Sequence, residues 1–386
     1  MIWKYDAPLW MQKYPGSTGF YQAYFTMIDS ITFAASSHLS VTISITWYIS
    51  LFFITSFASG SSAKRRSILI SKISSPWFLG GTPSRRQDGT LPAFSTTMND
   101  SLQRFLLEST PVRGEIAHLD ATWRAVLERR NYPAPLERLL GEMMAAAALL
   151  SATLKFEGSL IMQMQGSGPV QLLVVEATSE QTLRATAKWN GELDQSNVTG
   201  LLGAGRFVIS IVPSNGKQSY QGIVSIEGES IAQVLEHYMA KSEQLETRLW
   251  LASDSRQAAG MLLQKLPATP SEDADAWDRA TRLGETIKPE ELLGLPASEI
   301  IRRLYHQEDV RIFEPRPVAF RCSCSQERVT SMLRMLGHDE VRSILEERGN
   351  VEVDCEFCGR HYVFDAVDAE QVFAANVIMP TDKTRH

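Results

Sequence analysis

The sequence predicts an α+β protein: an N-terminal α+β domain with an antiparallel sheet and helices, a helical linker, and a small C-terminal domain. Three observations predict it. Five strand-like runs follow one another between Ser159 and Gly228 with Gly, Pro, Asn and Ser at their joints, and helical patterns gather at the ends of this block. A charged, proline-punctuated stretch comes next, and all four cysteines of the 386-residue chain fall after it.

In chain order, residues 1–97 stand apart. Val41 to Phe57 is an uncharged run followed by Lys64-Arg65-Arg66, close to the lower length limit of a membrane helix with a positive flank. Thr42, Ser44, Thr46, Ser50, Thr55 and Ser56 dilute it, and its β-branched content suits a strand equally well. We read residues 1–97 as an upstream extension of the reading frame, with a membrane or targeting segment and plain disorder as the alternatives.

From Met98 to about residue 267 the α+β domain is expected. LERLLGEMMAAAALLSATLKF repeats small and large apolar residues over several turns with hardly a charge, the pattern of a buried helix. SLIMQMQG, VQLLVVEAT, LRATAKW, RFVISIVP and SYQGIVSIEG read as strands, SIAQVLEHYMAKS as a helix capped by Ser230, and ETRLWLAS as a further strand. Gly166 and Gly168 in GSGP, and Gly203 and Gly205 in GAGR, are expected in hairpin turns, because neither string opens a helix as a phosphate loop must.

Residues 268–320 form the expected linker, with short amphipathic helices at Trp277–Leu283, Pro289–Leu293 and Ser298–Tyr305. Helices of that length are marginal in water and hold only by docking, as a segment built to melt or an ordinary connector would. Residues 321–386 form the last domain. Val329, Met332, Leu333 and Leu336 predict one helix, and Val341, Ile344 and Leu345 a second that Gly349-Asn350 stops. VEVDCEFCGRHYVF alternates as a hairpin with a cysteine pair at its turn.

Cys322-Ser-Cys324 and Cys355-Glu-Phe-Cys358, separated by thirty residues, suit convergence on one Zn²⁺ through four thiolates. Three readings stay open on spacing alone. The site can be inert structural zinc, a zinc-held thiol switch in which close thiolates condense to disulfides, or unligated core cysteines. Arg321, Arg328, Arg360 and His361 lie near enough in sequence to tune the sulfurs, or belong to an ordinary solvated surface.

RCSCSQER, the Leu-Gly-His-Asp-Glu step, the Glu-Arg-Gly turn and VEVDCEFCGRHYVFD, with AAGMLLQKLP and LYHQEDVRIFEPRPVAF upstream, resemble the thirty-three-kilodalton chaperonin family from about Met98 onward. The resemblance implies a redox-regulated, ATP-independent holdase. In such proteins the reduced form is inactive and binds one zinc per chain, here through Cys322, Cys324, Cys355 and Cys358. Oxidants form a disulfide within each close pair and expel the metal, the linker unfolds, and the protein, as a homodimer, binds unfolding clients. The cytoplasm is the implied compartment, and it suits cysteines that must wait reduced.

Composition narrows the alternatives. Residues 1–97 carry eight Lys/Arg against three Asp/Glu, which leaves 30 against 41 in the remainder. So acidic a body disfavours a zinc-stabilised nucleic-acid binder, and no membrane partner is expected. A thiol–disulfide oxidoreductase using Cys355-Glu-Phe-Cys358 is the alternative function, but such a motif belongs at the start of a helix. His118, His237, His306, His338 and His361 are scattered and no catalytic string is present, so no catalytic residues and no enzyme are expected.

Overall fold

The computed structural model describes residues 100–374 except 155, 195–196, 268–272 and 274, so the readings of residues 1–97 and of the last residues of the chain lie outside the described residues. These form two compact units that divide between Ser323 and Cys324.

The larger unit opens with strands that the sequence reading did not assign. β1 (Ser101–Leu107) and β2 (Val112–Leu119) pair antiparallel, Phe105 opposite Gly114. After α1 (Ala121–Leu127) comes α2 (Ala134–Thr153), the Ala-rich helix, buried on nearly every side from Leu136 to Thr153. A helix apolar all round has no solvent face to offer, and its burial follows. β3 (Gly158–Gly166), β4 (Val170–Thr178), β5 (Thr182–Trp189), β6 (Gly205–Pro213) and β7 (Tyr220–Ser225) take the positions their alternation predicts. Gly166 ends β3 and Gly168 lies within the hairpin connection from β3 to β4, as expected. GAGR does not: it links the short helix α3 (Val198–Leu202) to β6, with Gly203 at the helix end in a φ of 64° that suits a residue lacking Cβ. α4 (Ile231–Tyr238) follows, and Ser230 caps it as expected, its hydroxyl accepting from the Gln233 N–H. β8 (Thr247–Ser253) and β9 (Ala258–Lys265) close this stretch as a hairpin.

Three short helices then stand where amphipathic spacing put them: α5 (Ala276–Gly284), α6 (Pro289–Gly294) and α7 (Ala297–Leu304). Beyond them β10 (Val310–Ile312), β11 (Arg316–Pro317) and β12 (Ala319–Phe320) are edge pieces. One sheet runs β10-β1-β2-β9-β8, with β11 also on β1, and a second runs β12-β5-β4-β3-β6-β7. Among the described residues only β12 pairs in parallel. The larger core joins α2 to apolar side chains of both sheets, among them Ala117, Leu262, Leu173 and Ala185. A separate cluster sets Phe105, Ile116, Met261 and Leu263 of the first sheet against Trp277, Leu292, Ile300, Ile301, Leu304 and Tyr305 of the linker.

The smaller unit contains α8 (Gln326–Leu336), α9 (His338–Arg348), the hairpin β13 (Val351–Asp354) and β14 (His361–Phe364), and α10 (Ala366–Ala374). Val329, Met332, Leu333, Val341, Val351, Val353 and Phe364 make its core, and α10, absent from the sequence reading, adds Ala369 and Val372. The α+β class is as predicted, with antiparallel sheets, helices and a C-terminal cysteine cluster.

Candidate metal centre

Each cysteine is placed by a local device. Backbone pairing holds the approach to Cys322: Ala319 and Phe320 lie opposite Thr182 and Leu183 on the edge of β5, and the Arg321 N–H donates to the Leu183 carbonyl at 3.0 Å. Cys324 precedes Ser325, whose hydroxyl caps α8 by accepting from the Arg328 N–H. Cys355 and Cys358 sit on the turn of the last hairpin. There the Gly359 N–H reaches the Cys355 carbonyl at 2.7 Å, the Cys355 N–H reaches the Arg360 carbonyl at 2.9 Å, and Gly359 takes a φ of 69°. The alternation that predicted this hairpin therefore placed the second cysteine pair correctly.

The four sulfurs lie within 4.8 Å of one another, and those of Cys324 and Cys358 are 3.4 Å apart. Four thiolates at about 2.3 Å from a shared zinc would be separated by about 3.8 Å, so the cluster fits a tetrahedral site with little adjustment. Cys355 is buried, Cys324 lies at the edge of burial at 9% exposure, and Cys322 and Cys358 are partly exposed, so part of the ligand set is within reach of small reagents. Local backbone devices thus bring both close pairs to one place, and closeness alone does not choose among the six sulfur pairings.

The basic neighbours divide. Arg321 reaches Glu180 at 3.5 Å with both side chains exposed, and His361 places Nδ1 2.7 Å from Asp354 Oδ1, which raises its pKa. The Arg360 pKa is raised, first by the Tyr362 hydroxyl and then by the sulfurs of Cys324 and Cys358. The partner that sequence reasoning missed is Arg184, 138 residues from Cys322, whose Nη1 lies 3.6 Å from the Cys322 sulfur. Arg184 is directly opposite Glu176 in the β4–β5 register, and its Nε donates to Glu176 Oε2 at 2.9 Å. Opposite charges in adjoining strands of a hairpin are a legible signal of that ion pair; nothing in the sequence signals the sulfur. Of the other four histidines among the described residues, His118 is buried against the Leu292 carbonyl at 3.0 Å, and none belongs to the cysteine cluster.

A family model described as Hsp33 protein matches residues 100–365. A protein named 33 kDa chaperonin from Methylobacillus flagellatus is 51% identical over 291 residues, which is 75% of this chain and 99% of that protein. The protein of the same name from Chromobacterium violaceum is 52% identical over 290 residues, 75% of this chain and 98% of its own length. Among solved structures, the 33 kDa chaperonin (heat shock protein 33 homolog) of Thermotoga maritima superposes with a TM-score of 0.63 at 21% identity, covering 72% of this chain and 99% of that one.

Proposed function

The chain belongs to the Hsp33 family, and from that premise we propose that it is an oxidation-activated, ATP-independent holdase of the cytoplasm rather than an enzyme. The observation that carries the proposal is the convergence of all four sulfurs within 4.8 Å. In the reduced state Cys322, Cys324, Cys355 and Cys358 would hold one Zn²⁺, which would tie the start of α8 to the last hairpin. With a hydroperoxide as oxidant, each close pair gives up two electrons. The S–S bond forms as the peroxide O–O bond breaks, and two protons complete water and an alcohol, or two waters. The sulfurs that result carry no charge, and a site built on four thiolates loses its reason to hold a dication.

What oxidation would uncover is set by the second core cluster. α5, α6 and α7 cover one face of the first sheet, and their departure would leave Phe105, Ile116, Met261 and Leu263 facing solvent, a patch suited to unfolding clients. The active form would be a homodimer. No helix of the described residues is long and apolar enough to cross a membrane. The oxidoreductase reading has less support, because Cys355 and Cys358 lie on a hairpin turn with no helix N-terminus to stabilise a thiolate.

The test is light scattering from a thermally unfolding client, with reduced and peroxide-treated protein compared and no nucleotide added. Suppression by the oxidised form alone is expected. Equal suppression by both would reduce the cysteines to a structural role.

A further inference from the structure

The segment from Val318 to Cys322 is lodged on the edge of the second sheet by contacts of two kinds. Most are indifferent to redox state: Val318 is buried in the main core, Ala319 N–H donates to the Gln181 carbonyl at 3.1 Å and Arg321 N–H to that of Leu183, and the Arg129 guanidinium lies 4.3 Å over the Phe320 ring. One is not. Arg184 is only 2% exposed, with Nε and Nη2 both donated to Glu176 Oε2, while Ser159 occupies Glu176 Oε1 at 2.9 Å. The rigid fork therefore turns its remaining nitrogen, Nη1, to the Cys322 sulfur.

We propose that Arg184 is a positioning residue that senses the charge on Cys322, fastening residues 318–322 to the edge of β5 while that sulfur is a thiolate and releasing them when it is oxidised. A guanidinium this deeply buried is stable only where negative charge faces it, and here Glu176 supplies one part and the sulfur another. Conversion of the thiolate to one half of a disulfide replaces a charged acceptor with a weak neutral one. Because Cys322 is two residues beyond Phe320, the loss falls directly on the shortest strand pairing of the sheet. The first consequence of oxidation in the larger unit is then the lifting of β12 from β5. The inference rests on the thiol chemistry proposed above and adds the residue that transmits it.

The test is amide hydrogen exchange in the full chain, followed on the peptide carrying Ala319 and Arg321, in reduced zinc-loaded and peroxide-oxidised protein. In the unaltered chain oxidation should speed exchange there by about tenfold or more, the scale of losing one hydrogen bond to a charged group. Arg184→Lys keeps a cation beside Glu176 but cannot also reach the sulfur; its reduced form should already exchange fast, and the ratio between redox states should fall toward one. Arg184→Met combined with Glu176→Gln removes both charges and should give the same ratio if the lysine variant folds poorly. Retention of the unaltered protein's protection and redox ratio in these variants overturns the inference. So does an unaltered chain whose exchange at 318–322 ignores oxidation. Light scattering on the same samples separates the two ideas: failure to become active on oxidation counts against the holdase reading, whereas the exchange ratio judges the Arg184 contact in either case.

Discussion

His118 points inward from β2, where Nε2 donates to the Leu292 carbonyl of α6 at 3.0 Å. Burial, opposed by backbone contacts to Leu292 and Leu295, lowers its pKa below the ordinary 6.5. The unfolded chain therefore takes up the proton first as pH falls. The stabilisation from keeping this imidazole neutral is complete above about pH 6.5 and is lost as pH falls from there through the lower folded value, with a slope of at most about 1.4 kcal/mol per pH unit. Thermal unfolding of the reduced protein should show a midpoint that drops over this acid range, and His118→Gln, which keeps a donor but cannot titrate, should flatten that part of the profile. An unchanged profile would show that His118 is not the group responsible. A second residue-scale prediction concerns Cys355, fully buried at 1% exposure. Cys355→Ser should leave bound zinc well under half of what the unaltered protein holds at equal free metal, read by atomic emission of the dialysed protein. At this scale the sequence was informative where residue type alone carries the chemistry, as with the cysteines, and silent where burial does. Glu115 and His118 in β2, and Arg184 in β5, look like surface residues until the fold encloses them.

The linker helices were legible because an amphipathic face is local information: Ile300, Ile301 and Leu304 mark α7 without reference to anything else. β1 and β2 were not. β2 is buried at seven of its eight positions, with a glycine and two ionisable residues inside, so neither alternation nor an unbroken apolar run marks it. β10, β11 and β12 span two or three residues each and exist only through their partners. The structure adds how tightly the linker is seated. A Cβ on Gly284 would lie 2.7 to 3.2 Å from three ring atoms of Trp250, a fixed aromatic face rather than a flexible end. Gly284→Val should therefore pry α5 from the first sheet at a cost of about 1–3 kcal/mol. Ile301→Ala, which deletes buried methyl groups beneath α7, should cost about 2–5 kcal/mol. Both variants should show faster proteolysis within residues 276–304 of the reduced protein and earlier activation by peroxide. Wild-type cleavage rates in both would mean that the linker opens by a route independent of this packing.

Across the whole molecule, the two units differ in what keeps them folded. The larger has a continuous core running from Leu102 to Val318 through α2 and both sheets, enough to stand without a metal. Among the described residues the smaller has one cluster of nine buried apolar residues over three helices and one two-stranded hairpin, with Phe357 buried besides, a core at the margin of independent stability. Structural zinc in small domains supplies about 10–16 kcal/mol of apparent binding free energy, against a typical net stability of about 5–15 kcal/mol for a whole domain. Loss of a zinc held by the four cysteines would therefore be comparable with the whole net stability expected of residues 324–374. Chelation under reducing conditions should melt α8, α9 and the last hairpin while the sheets of the larger unit persist. The expected record is a partial loss of far-UV helical signal, rapid cleavage within residues 326–348, and an unchanged thermal transition for the larger unit. Readdition of zinc should restore the signal without an oxidant or reductant, because the thiols have not changed. If the chelated protein instead kept its helical content and resisted cleavage, the smaller unit would be stable on its own core, and oxidation would need to act through the sulfurs' own contacts, Arg184 first among them, rather than through loss of the metal.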